Sequence, residues 1–275
     1  VWWGHKIPIE GTEDVLDTWF SSALWPFATL GWPETTKDLK TFYPTNVLST
    51  GRDIINLWVA RMIFSGMEFI KKPPFKDVYI HATVLTKEGK RMSKSLGTGI
   101  DPINLIEKYG ADATRFGIAF QIMGGQDIKF VEDNIVMGKK FCNKLWNASR
   151  FVLLQITGDP ISRNYRNVRR SDLPIIRKLN KTVKSVNKDL TNYQFGKAAH
   201  TLYDFFWHDF CDKFLEEFKN QKTRKPENQK LLLYVLLTSL KLLHPFIPFI
   251  TEEIYQTILP LKNKKKCLMI EDWPN

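Results

Sequence analysis

Val78-Tyr79-Ile80-His81-Ala82-Thr83-Val84-Leu85 leads into Thr86-Lys87-Glu88-Gly89-Lys90-Arg91-Met92-Ser93-Lys94-Ser95-Leu96-Gly97-Thr98-Gly99, and then into Ile100-Asp101-Pro102-Ile103-Asn104-Leu105-Ile106. The apolar run 78–85 predicts one strand. Residues 87–99 are polar and basic, with glycines at 89, 97 and 99 and serines on both sides of Lys94. Asp101-Pro102 predicts a helix start, which Gly110 ends. A cation-rich glycine loop between a strand and a helix can hold a polyphosphate: glycines let backbone amides approach the anion, and lysines supply point charges. It is not a Walker-type loop, because no G-x-x-x-x-G-K-[ST] is present.

Upstream, Asn46–Thr50 predicts a second strand, ending at Gly51, and Asp53–Ile63 predicts a helix. A strand, a glycine and a helix start together present backbone amides and one polar side chain to a ligand. Asp53 is placed to accept hydrogen bonds from ribose hydroxyls; a simple helix cap is the competing reading. Strands alternating with helices predict a parallel sheet. Ligands on such sheets sit at the carboxyl ends of the strands, where Gly51, Asp53 and the basic loop fall. Residues 14–27, DVLDTWFSSALWPF, are dense in aromatic and small residues and predict a pocket wall, with core packing the alternative for any one tryptophan.

Downstream the pattern is helical. Helices are expected over 111–123 and 132–156, the second with Phe141, Leu145, Trp146, Ala148 and Phe151 on its apolar face. Residues 158–170 read as a polar loop. Ile176, Leu179, Val183, Val186 and Leu190 repeat at three and four, as do Leu202, Phe206, Phe210, Phe214 and Phe218. The run Leu231–Leu243 follows, and a last helix is expected from Thr251-Glu252-Glu253, with acidic residues at its positive end. Long helices joined by short loops predict an antiparallel bundle.

At 275 residues the chain is long enough for two domains. Its formal net charge is +11. Residues 1–137 hold 15 Lys and Arg against 16 Asp and Glu; residues 138–275 hold 25 against 13, so the whole excess lies in the second half. A nucleic-acid partner is the leading explanation, a solvated lysine-rich face the bland one. Cys142, Cys211 and Cys267 form no C-x-x-C pair, and neither a disulfide framework nor a metal site is expected. His200 and His208 have no partner cluster. No apolar run is long enough to span a bilayer, so no membrane association is expected. Val1-Trp2-Trp3-Gly4-His5 is neither a start methionine nor a signal peptide, which points to a piece of something longer.

Arg91-Met92-Ser93-Lys94-Ser95 resembles the K-M-S-K-S signature of class I aminoacyl-tRNA synthetases, with arginine for the first lysine. In order along the chain, WWGHKIP at 2–8, DVLDTWFSSALWPF at 14–27, TGRDI…WVARM at 50–62, KLWNASRF at 144–151 and HPFIPFITEEIYQ at 244–256 resemble the valyl type. The isoleucyl and leucyl types, or an RNA-binding module without catalysis, are the alternatives. The resemblance implies an α/β plus all-α fold. Residues 1–123 would form the second half of a Rossmann-like catalytic domain, 124–157 a connecting helical region and 158–275 an anticodon-binding helical bundle. It implies ATP with Mg2+ as substrate complex, L-valine and tRNA-Val as partners, a monomer and a cytoplasmic location.

The resemblance also implies roles. Lys94, Arg91, Ser93 and Ser95 would contact the phosphates. Gly51 and Asp53 would hold the ribose, with Val84 and Leu85 near adenine. Trp19, Ile54 and Trp58 would line the valine pocket. Such an apolar box cannot strongly reject threonine, which differs by a hydroxyl, so family members carry an editing domain. That domain and the His-Ile-Gly-His signature are expected upstream of Val1, and the chain alone is expected to be inactive. Only Ile9–Glu13 separates WWGHKIP from DVLDTWF, where the family carries a longer segment. Lys222, Arg224 and Lys225 are basic candidates for RNA contact, as is the run Lys262–Lys266.

Overall fold

Two small parallel strand pairs mark the α/β part. Thr45–Thr50 (β1) pairs with Phe75–Ile80 (β2), in register from Thr45 opposite Phe75 to Thr50 opposite Ile80. Val84–Leu85 (β3) pairs with Ile128–Lys129 (β4). The computed structural model describes residues 14–93, 97–124, 127–156, 168, 173–219, 226–258 and 265–275. The chain divides into two compact units, one ending at His81 and the other running Ala82–Asn275. Everything else described is predominantly helical.

In the first unit, Thr18–Ala28 (α1) starts on Asp17, whose carboxylate accepts from the Trp19 amide at 2.7 Å. Lys37–Phe42 (α2) starts on Thr36, whose hydroxyl accepts from the Leu39 amide. The helix expected over 53–63 is not uniform. Arg52–Ile54 is a 3₁₀ turn, Ile55–Val59 a widened π turn, and Ala60–Phe69 (α3) regular α-helix. The widened turn carries Trp58 onto a core of Leu48, Val59, Met62 and Phe75, and its Nε1 donates to the Ser22 carbonyl at 3.2 Å. Phe27 is fully buried, with Trp32 and Tyr43 edge-on to its ring.

The single strand expected over 78–85 is two strands in different sheets. The His81 amide makes the last bond of the first ladder, to Thr50 O. Two residues on, the Thr83 amide is taken by Asp127 Oδ1, and Thr83 O accepts from Ile128. The backbone therefore changes partners at Ala82, a change that hydropathy cannot register.

In the second unit, Pro102–Tyr109 (α4) is capped by Asp101 and ended by Gly110 at φ +95°, as expected. Ala111–Gln121 (α5) and Glu132–Gln155 (α6) pack closely through facing glycines. A Cβ on Gly117 would lie 2.6 Å from Asn134 O, and one on Gly138 2.6 Å from Ala113 O. Phe116 and Phe141 stack at 4.7 Å between centroids where the helices meet.

Pro174–Thr191 (α7) buries Ile176, Leu179, Val183 and Val186. Phe195–Asp204 (α8) runs into a π segment, Phe205–Leu215, and then Glu216–Lys219 (α9). Leu202, Phe206, Phe210, Phe214 and Phe218 are spaced by four. At 3.6 residues per turn such a row drifts by about 40° a step; the wider π turn corrects the drift. Four of the five are buried and Phe214 packs against the same core. Pro226–Leu243 (α10) contributes all of its leucines to that core. The last helix, Pro248–Thr257 (α11), begins one turn before the expected Thr251. Its early amides are capped from outside by Asp112, so Pro248 can open it. Glu252 consequently lies in the second turn, where it accepts from the Leu268 amide at 2.8 Å. Lys94, Ser95, Lys222, Arg224, Lys225, Lys262, Lys264 and the 9–13 junction lie outside the described residues.

Candidate functional site

The first unit holds one group of expected site residues at the carboxyl ends of β1 and β2. Gly51 follows β1 directly. A Cβ there would lie 2.8 Å from Asp53 Oδ1 and 3.7 Å from His81 Cε1. The missing side chain lets the Asp53 carboxylate fold back over the strand end, beside His81 at the end of β2. Asp53 is exposed to solvent, as a ribose acceptor needs to be. Sequence reasoning missed His81, because inside an apolar run it reads as a strand residue; only the pairing of Ile80 with Thr50 sets it beside Gly51.

Trp19, Ile54 and Trp58 are half-buried. Trp58 is held by the Ser22 carbonyl and lies tilted against Trp25 at 6.4 Å. Trp19 has the Arg61 guanidinium over its ring at 5.8 Å. Trp19 thus stands on α1 and Trp58 on the π turn before α3, each ring held by a neighbouring group.

The second unit holds the basic loop. Thr86 closes its first turn: the Thr86 amide donates to Lys90 O at 2.8 Å and Gly89 N to Thr86 O at 2.9 Å, with Gly89 at φ +82°. Leu85 and Arg91 form an antiparallel bridge. Ser93 and Thr98 bond to each other, Ser93 N donating to Thr98 Oγ1 and Thr98 N to Ser93 O. Hydrogen bonds thus fix the chain on both sides of the signature's centre. The Thr86 hydroxyl holds the Glu88 carboxyl below its ordinary range, helped by its own backbone, Lys90 and Lys87.

Met92 shares an apolar cluster with Val84, Leu105, Phe130 and Ile135. It anchors the signature while Arg91 stays exposed, a role invisible to a reading of charge. Val84 lies in the same cluster, and Leu85 is half-buried. Behind the loop, Glu132 accepts from Lys108 Nζ at 2.9 Å and Tyr109 OH at 2.7 Å, and Lys139 Nζ donates to Lys108 O. Among the described residues no group of His, Cys, Asp or Glu could hold a metal, and no helix is long and apolar enough to cross a membrane.

Residues 4–131 match the family model of class I tRNA synthetases (I, L, M and V), and residues 172–275 that of the anticodon-binding domain of tRNA ligases. Valine–tRNA ligases from Thermotoga maritima, Pseudothermotoga lettingae and Listeria innocua are 47%, 46% and 45% identical over the whole chain. The chain spans about a third of the length of these curated relatives, 34–35%. Among solved structures, LeuRS of Agrobacterium radiobacter K84, in a ternary complex with tRNA and LeuAMS, aligns with a TM-score of 0.78 at 19% identity, covering 98% of this chain and 34% of that one. The methionyl-tRNA synthetase of Mycobacterium tuberculosis aligns at 0.65 and 17% identity, covering 86% and 48%. Those two likenesses establish the fold alone. With these matches over both of its parts, residues 4–131 belong to the class I tRNA synthetase family and residues 172–275 to the anticodon-binding domain family of tRNA ligases.

Proposed function

We propose that the protein carrying this chain is a valine–tRNA ligase. The observation that carries this reading is the 42–47% identity with enzymes of that name, maintained over the entire chain. The first part would be the second half of a Rossmann-like nucleotide-binding domain, and the later helices an antiparallel anticodon-binding bundle. The domain limits would be 1–123, 124–157 and 158–275. Alignments of 303–308 positions against 275 residues leave the chain at least 28 positions shorter, in keeping with the brief 9–13 junction.

In this reading the valine carboxylate attacks the α-phosphorus of ATP. The new O–P bond forms as the bond to the β-phosphate bridge breaks, and pyrophosphate leaves. A ribose hydroxyl at the end of tRNA-Val then attacks the carbonyl carbon of valyl-adenylate and AMP leaves. Neither step needs a protein nucleophile. Both need positioning and charge neutralisation. Lys94 supplies the main phosphate contact, with Arg91 beside it and Ser93 and Ser95 as hydroxyl donors. Arg91 offers a planar fork where lysine would offer a point charge. Gly51 and Asp53 hold the ribose, and Val84 and Leu85 flank adenine. Trp19, Ile54 and Trp58 enclose the valine side chain. ATP arrives with Mg2+ as part of the substrate complex. The protein acts as a monomer in the cytoplasm.

Amino-acid-dependent pyrophosphate exchange by the full protein tests the proposal. Valine should support exchange at least ten-fold better than isoleucine or leucine in kcat/KM, and Lys94→Ala should lower it by about 100-fold, the scale of losing one charge-stabilising group. Preference for isoleucine or leucine would reassign the substrate, and an unimpaired Lys94→Ala enzyme would sink the loop assignment.

A further inference from the structure

One face of α5 reaches across to the junction of α10 and α11 with two charged side chains a turn apart. Asp112 is buried, 9% exposed, and its two oxygens accept from the amides of Phe249 at 3.2 Å and Ile250 at 2.6 Å. These are amides of the first turn of α11, which have no acceptor within their own helix. Arg115 donates from Nε to Phe246 O at 3.2 Å and from Nη2 to Pro245 O at 3.0 Å, carbonyls of the turn just beyond α10. A carboxylate thus sits at the positive end of one helix and a guanidinium just past the negative end of the other, both supplied by a third helix. The spacing of three puts both on one face of α5. Phe116, the residue after Arg115, meets Phe246 edge-on at 6.5 Å and fills the space behind the polar contacts.

The clasp sits at one end of α5. The other end is seated as firmly on α8: His200 Nε2 bonds Phe120 O at 3.0 Å with the two rings stacked, and a Cβ on Gly196 would fall 1.9 Å from Ile122 O. α5 follows α4 and the basic loop directly in the chain and packs on both α4 and α6. It is therefore, with α6, one of two elements that pack against both α4 and the later helices.

We propose that Asp112 and Arg115 are positioning residues that fix the α10–α11 helices relative to the loop-bearing segment, so that one RNA molecule can be held at both. This rests on the proposed function in requiring RNA as the shared ligand. A ligand held at two places gains from a high effective concentration at the second. That gain is lost once the two supports can move independently, even when each separate contact is intact. The clasp touches neither substrate nor RNA in this account and acts wholly through the helices it orients.

Equilibrium binding of tRNA-Val to the full protein, at fixed salt, is measured for the unaltered protein and for Asp112→Ala, Asp112→Asn and Arg115→Lys. Asp112→Ala should bind at least ten-fold more weakly. Asp112→Asn, which keeps one amide-accepting oxygen, should recover part of the loss. Valine-dependent pyrophosphate exchange, which needs no tRNA, should stay within two-fold in all three. Unchanged tRNA affinity in every variant would overturn the proposal. So would a fall in exchange by the same factor as affinity, which marks a general collapse. If Asp112→Ala fails to fold, Asp112→Asn and Arg115→Lys decide, with two- to ten-fold losses expected and no loss overturning it. An unaltered protein that binds tRNA-Val but activates no valine refutes the proposed function, while the binding comparison still judges the clasp.

Discussion

At residue scale, small deletions and burials govern the candidate site. Gly51 is required less for its backbone angle than for the room it leaves, since the Asp53 carboxylate occupies the space where its Cβ would be. Gly51→Ala should push that carboxylate aside and raise the KM for ATP about ten-fold, equivalent to roughly 1.4 kcal/mol, with little change in melting temperature. An unchanged KM in pyrophosphate exchange would show that Asp53 does not serve the nucleotide. His244 provides a pH signature. Burial holds its imidazole below the ordinary 6.5, against the pull of Glu252 and Asp112, and Thr251 Oγ1 faces its Nδ1 at 2.8 Å. The folded state therefore prefers neutral histidine. Its contribution is intact above the unfolded pKa and is lost as pH falls from about 6.5 toward the depressed folded value. Asp112 runs the other way: burial raises its carboxyl, so acidification relieves a cost there. Urea midpoints should fall between pH 7.5 and 5.5, and His244→Asn should flatten that slope. A slope unaltered by the substitution would assign it to other groups.

At the scale of elements, the pair α5–α6 is set by two glycines pressed against backbone. Neither Asn134 O nor Ala113 O is a flexible side-chain end that could swing away. Gly138→Ala should accordingly destabilise the protein by about 1–3 kcal/mol, the usual cost of overpacking, despite alanine's better helix propensity. A denaturation midpoint equal to or above that of the unaltered protein would contradict this packing. The π segment Phe205–Leu215 makes a related point. Its aromatic row at intervals of four would drift by about 40° a step on a regular α-helix, and the widened backbone offsets that drift. The two thiols packed near these helices are shielded by the same burial, Cys142 and Cys211 both being pushed up to about 12. Neither should react with iodoacetamide at pH 8 until the protein unfolds. Labelling of either in the native state, read by mass spectrometry, would show that the helices open locally.

Across the whole molecule, charge and packing divide the work. The excess of positive charge lies in residues 138–275, and several of those cations are already engaged: Lys144 with Asp212, Lys178 with Asp209, Lys241 with Glu271, Lys265 with Asp272. Binding of tRNA-Val should weaken linearly in log salt, with a slope smaller than all 25 Lys and Arg of that half would give, since paired lysines release fewer counterions. A salt-independent affinity would remove phosphate contacts from the account. By itself the sequence determined the helix caps at Asp101 and Gly110, the apolar faces of α6 and α7, the strand–glycine turn at Gly51 and the cation-rich loop. Each is a local matter of backbone preference, periodicity or charge within a few residues. Only the tertiary structure decided that 78–85 is two strands, that Met92 anchors the loop, that His81 lies beside Gly51, and that α11 begins at Pro248. In each case the deciding partner — Asp127, Phe130, Thr50, Asp112 — lies tens of residues away or more in the chain, and hydrogen bonds and packing at that range leave no periodicity for a sequence to display.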